Sequence, residues 1–130
     1  MEIFDKKNNL IAIIHKDMNF NEGKTFYTDN EKEFQFGTFK LAKGEIIEKH
    51  IHNLQKREIL KTSEAIVVLK GSLNIDLYDD DKNFIDAVTI NTNDAILIFE
   101  GGHGIEVGEE TKFLEFKQGP YIEDIDKKHF

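Results

Sequence analysis

The sequence predicts an all-β fold, a single domain built as a small barrel or sandwich of short strands. Three observations carry that expectation. Apolar residues recur either with period two or in short continuous runs of strand length. Clusters of Gly, Asn and Asp separate those runs at short intervals. The 130 residues contain one proline, Pro120, and no Gly/Ser-rich linker, repeat or low-complexity stretch, so nothing marks a domain boundary within 1–130.

Taken in order, the first 30 residues are expected to supply one or two edge strands, with a turn at Asn8-Asn9. Residues 33–42 are dense in aromatics and read as a strand. The segment holding His50 and His52 also reads as a strand, and residues 53–63 as an irregular loop or one helical turn. Residues 65–69 form a continuous apolar run. Leu73, Ile75 and Leu77 alternate with Asn74, Asp76 and Tyr78. Turn clusters at 79–83 and 91–94 flank a strand at 84–90, and strands at 95–99, 105–107 and 112–117 follow. Lys117 and Tyr121 are candidates to close over a pocket, with terminal-strand packing the plainer reading, and the end of the sequence, from Ile122, is highly charged and either wanders or packs across the barrel's end. The eleven phenylalanines are expected mainly in the core, with Phe39, Phe99, Phe113 and Phe116 as candidates to line an apolar cavity. His15 and His129 show no ligand spacing and read as surface residues.

Composition narrows the function classes. With no cysteine, disulfides, thiolate metal sites and a cysteine nucleophile are excluded. Seventeen Lys plus Arg against 25 Asp plus Glu give a net charge of −8, which repels nucleic acid phosphates and anionic membranes. The start has no signal-peptide pattern and no run reaches the length of a membrane span, so a soluble, cytoplasmic protein is expected. There is no GxSxG, P-loop or GxGxxG.

The chemistry-bearing residues are histidines and carboxylates. His50 and His52 are two apart, which on a strand puts both imidazoles on one face, shared with Glu48. Glu64 leads a strand whose face continues with Ile66 and Val68, a costly place for an unpartnered carboxylate. His103 follows Gly101-Gly102 and precedes Gly104, a setting that permits a tight backbone turn beside the ring. Arg57, the one arginine, sits after His52 and is a candidate clamp for a carboxylate or phosphate; a solvated loop cation is the plainer reading.

The order of these residues resembles the cupin superfamily. Gly44, five residues, His50-Ile51-His52, then Glu64, six residues and Gly71 are similar to the first cupin motif. Residues 93–103 are similar to the second, with Asn93 in place of its first glycine, Phe99 in place of its proline, and one residue fewer before His103. The gap from His52 to Glu64 is eleven residues, longer than the usual three or four, and makes Glu58 a rival; the spacing to Gly71 favours Glu64. The strings Gly101-Gly102-His103-Gly104 and 115–121 also resemble a group of small bacterial cupins, some of them linked to surface-polysaccharide and nucleotide-sugar pathways.

The resemblance implies a jelly-roll barrel, with motif core about 40–118, in which His50, His52, Glu64 and His103 hold one divalent transition metal: iron, manganese, nickel, zinc or copper. It implies a metal-dependent enzyme acting on a small polar, sugar-derived molecule, with Arg57 or Glu48 assisting substrate binding. Two other readings stay open: a non-catalytic small-molecule-binding or accessory barrel, and a metal-free sugar isomerase or epimerase using histidine as base. A homodimer is expected on general grounds.

Overall fold

The computed structural model describes residues 1–123 and 125–130. The chain divides into two compact units, Met1–Asp17 with Lys61–Phe130 (unit 1) and Met18–Leu60 (unit 2). In chain order the strands are β1 (Glu2–Phe4), β2 (Leu10–His15), β3 (Gly23–Phe26), β4 (Gly37–Lys40), β5 (Glu64–Lys70), β6 (Ser72–Tyr78), β7 (Phe84–Asn91), β8 (Ala95–Ile98), β9 (Gly102–Glu106) and β10 (Lys112–Lys117). The fold is all-β, as the sequence predicts, with one short 3-10 helix at Asp17–Asn19.

Unit 1 carries a five-stranded sheet in the order β1-β2-β8-β5-β10 and a three-stranded sheet in the order β7-β6-β9. Every pairing is antiparallel. Alternation decides what faces inward. Leu73, Ile75 and Leu77 are wholly buried while Asn74 and Asp76 between them are exposed. They meet Ile66, Val68, Ile96 and Ile98 from the other sheet in one core, with Val88 and Ile90 beside them. Each fully buried aliphatic side chain contributes about 1.5–3 kcal/mol relative to exposure. Gly71 alone carries the chain from β5 to β6, and so from one sheet to the other, at φ +86°. A Cβ there would stand 2.5 Å from Thr111 Oγ1, so the corner requires glycine.

The turn before β8 is held by Asp94. Its carboxylate accepts hydrogen bonds from the Asn91 amide (3.0 Å), the Asp17 amide (3.1 Å) and the Lys16 ammonium (2.8 Å). Burial pushes the Asp94 carboxyl up, but the bonds from Lys16, Asn91 and Asp17 together hold it below its ordinary value of 3.8. Asp94→Ala is expected to cost about 1.5–3 kcal/mol, since it removes charge-assisted bonds from a buried turn. Because the folded carboxyl is depressed, its stabilisation is complete above the ordinary carboxylate range and lost as pH falls through the lower folded value. Urea midpoints taken from pH 7 to pH 3 check this: the gap between wild type and variant should narrow on the acid side, and a constant gap would contradict it.

Unit 2 contains the hairpin β3–β4, with Gly23 opposite Lys40 and Phe26 opposite Gly37. The ladder is extended by the Tyr27 amide donating to the Phe36 carbonyl, and the two rings stack at 5.3 Å. Residues 45–60 form no helix or strand.

The structure corrects several expectations. The strands do not close into one hydrogen-bonded barrel among the described residues. The His50–His52 segment is not a strand: no ladder involves it, and both Ile47 and Ile51 stay exposed, so its alternation has no sheet to align on. The strand expected at 33–42 shrinks to β4. β2 is an interior strand, between β1 and β8, which buries His15 to 5 % exposure. The core is built of Ile, Leu and Val, and Phe99 is its only buried phenylalanine among the described residues. The turn at Asn8-Asn9 is present, with Asn8 at φ 65° and the Asp5 carboxylate accepting from the Lys7 and Asn9 amides. No helix is long and apolar enough to cross a membrane among the described residues.

Candidate functional site

A cavity of about 710 Å³ opens in unit 1, lined by residues from both of its sheets. Two of the expected site residues meet there. Glu64 is the first residue of β5, on the inward face it shares with Ile66 and Val68 but at the open end of the core. His103 lies on β9, opposite Leu77 of β6. The sequence places His103 before a strand at 105–107; in the structure the strand starts three residues earlier, at Gly102, and takes His103 into its ladder. His103 Nε2 stands 3.1 Å from Glu64 Oε2, so the pair bridges the two sheets, with side chains 26 % and 15 % exposed.

Lys117 is the third member. In the β10–β5 ladder it lies directly opposite Glu64, which explains why its ammonium reaches within 3.6 Å of Glu64 Oε1. The same ammonium pairs with Glu115 at 3.2 Å and stands 5.3 Å from the Tyr121 ring centroid. The hydrogen bond from His103 is the largest influence holding the Glu64 carboxyl below its ordinary value, helped by the Lys117 charge and opposed by burial. The bond to Glu115, with the Glu64 charge adding to it, raises the Lys117 ammonium, so this lysine stays charged. An ionised carboxylate, an imidazole and a fixed ammonium therefore share one pocket wall.

His50 and His52 lie in unit 2, both exposed, with ring centroids 5.3 Å apart. His50 Nδ1 stands 2.8 Å from the Glu48 carbonyl oxygen. A carbonyl only accepts, so Nδ1 is the donor in this contact. Arg57 and Glu48 are exposed on the same irregular segment of unit 2. The four histidine and glutamate residues thus form two pairs, each within its own unit. No group of three or more His, Asp or Glu stands together as a metal site among the described residues.

Geometry at the Glu64–His103 pair is compatible with metal ligation. Oxygen and nitrogen donors about 2.1 Å from one ion lie roughly 3.0–3.4 Å from each other at neighbouring coordination positions, and this pair fits that spacing. It equally fits a direct hydrogen bond.

Sequence reasoning did not single out Tyr78 and Lys82, which line this pocket; residues 126–130, in the charged end that the sequence leaves either loose or packed across one end of the strands, line it too. The candidates Phe39, Phe99, Phe113 and Phe116 do not; the aromatic lining is Tyr78, Tyr121 and Phe130. Lys117 and Tyr121, sequence candidates to close over a pocket, do line it; the position of Lys117 beside Glu64 follows only from the β10–β5 register. No family model matches this chain, and no curated protein or solved structure matches it either.

Proposed function

We propose that this chain is a metal-binding protein of the cupin type, with a jelly-roll ancestry, that acts on a small polar molecule in the unit 1 pocket. The observation that carries the reading is the Glu64–His103 pair at 3.1 Å on a cavity wall. The motif spacing that relates Glu64 and His103 to His50 and His52 supports it. Glu64 and His103 would be the donors that unit 1 offers, a carboxylate and an imidazole of the kind a divalent transition ion takes; that His50 and His52 are ligands too is what the motif resemblance implies. When bound, such an ion supplies Lewis acidity. The chain's own groups do the rest. Lys117 adds its charge to the influences that lower the Glu64 carboxyl, and the Glu48 carbonyl orients the His50 ring by accepting from Nδ1. The open cavity admits a ligand beside His103.

A second reading rests on the same bond. His103 hydrogen-bonded to an ionised Glu64 has the arrangement of a general base oriented by a carboxylate, which needs no metal.

Elemental analysis and titration with manganese, nickel and zinc decide between them. About one ion per chain is expected, weakened roughly 100-fold or more in His103→Ala and in Glu64→Gln, beyond what loss of a supporting contact causes. Unchanged metal content in the double variant, with an unchanged circular dichroism spectrum, would overturn the ligand assignment. Turnover that survives chelation and is lost in His103→Ala would favour the general-base reading.

A further inference from the structure

We propose that residues 126–130 form a removable wall of the unit 1 pocket, latched by the Phe130 ring, and so control small-molecule access to His103. This rests on the reading of that pocket as the ligand site. Asp126, Lys127, Lys128, His129 and Phe130 all line the cavity that holds Glu64 and His103. A single ring anchors this segment from three sides. Phe130 meets Tyr78 edge-on, with centroids 5.2 Å apart. Lys82 Nζ stands 5.4 Å from the Phe130 centroid. Beneath the ring lies Gly102, where a Cβ would come within 2.8 Å of Phe130 Cζ and 2.9 Å of Cε1. The absence of a side chain at 102 is what creates the seat, and the next residue along β9 is His103.

The strength of the anchor suits release. Phe130 remains 63 % exposed, so little apolar area is lost when the ring leaves. An edge-to-face pair and an exposed cation–π contact are each weak. The polar residues 126–129 gain water on opening and lose no buried contact, since all four are exposed. Upstream, the turn is tied by the Asp126 amide donating to the Ile122 carbonyl at 3.1 Å, which supplies a fixed point for the segment beyond it. The position of residues 126–130 sets the width of the cavity beside the imidazole.

Access to His103 is read directly by carbethoxylation of its imidazole with diethylpyrocarbonate, followed residue by residue by peptide mass spectrometry, on the full chain in the presence of EDTA. Phe130→Ala removes the anchor, and Gly102→Ala fills its seat. Both are expected to accelerate modification of His103 by about threefold or more, as an open minority state becomes dominant. His50, exposed in unit 2, is expected to keep its rate and serves as the internal reference. Phe130→Tyr, which retains the ring, should behave as wild type. An unchanged His103 rate in both variants would overturn the proposal, and so would a parallel rise at His50. The readout requires neither bound metal nor turnover, so it stands or falls separately from the proposed function.

Discussion

Gly101→Ala is expected to destabilise unit 1 by roughly 2–6 kcal/mol, with about 1–3 kcal/mol from a strained left-handed backbone and about 1–3 kcal/mol from overpacking. Gly101 is the last residue of the link 99–101 between β8 and β9, at φ +82°, a conformation that glycine adopts freely and alanine does not. A Cβ at this position would stand 2.1 Å from the Tyr78 carbonyl oxygen and 3.3 Å from its carbon. Those atoms are backbone, paired into the sheet where Tyr78 faces Gly102, so they have little room to yield. Relief of the clash therefore pulls the start of β9 away from β6, and His103 moves with it. Chemical denaturation measures the stability loss. Gly104→Ala is the control: nothing lies within 4 Å of its would-be Cβ, and its φ is not positive. A Gly101→Ala midpoint equal to that of Gly104→Ala would refute the steric account of this corner.

Ile75→Ala is expected to cost about 2–5 kcal/mol, the range for truncating a large aliphatic side chain in a packed core. Ile75 is wholly buried on β6, the central strand of its sheet, with Val88 of β7 on one side and Ile105 of β9 on the other. Across the core its cluster includes Ile66, Ile96 and Ile98 of the five-stranded sheet. A central position between two laddered strands leaves little freedom to collapse into the space left behind, which places the loss toward the upper part of the range. The measurement is again a denaturation midpoint, and the contrast is Ile51→Ala, at a residue 88 % exposed, which should be silent within about 0.5 kcal/mol. An Ile75→Ala loss as small as that of Ile51→Ala would mean that the two sheets of unit 1 do not enclose this side chain.

The two variants separate what is local from what is tertiary in this chain. Period-two alternation at Leu73, Ile75 and Leu77, the apolar run of β5 and the turn clusters at 79–83 and 91–94 were legible in the sequence, because strand faces and turn chemistry are set by neighbours a few residues away. Glu64 was legible too: a carboxylate heading an apolar face needs a partner, and His103 is that partner.

What the sequence could not decide was pairing. The same alternation that located β6 also suggested a strand at His50 and His52, yet that segment has no ladder, since a strand exists only where another backbone accepts its hydrogen bonds. His15 looked like a surface residue until β2 was seen between two strands. Lys117 beside Glu64 follows from the β10–β5 register, and Phe130 over Gly102 from a contact between residues 28 positions apart. Short-range pattern thus determined an all-β chain and one half of the candidate site. Only the tertiary structure decided which strands are neighbours, because that choice depends on burial and hydrogen bonding between segments distant in sequence.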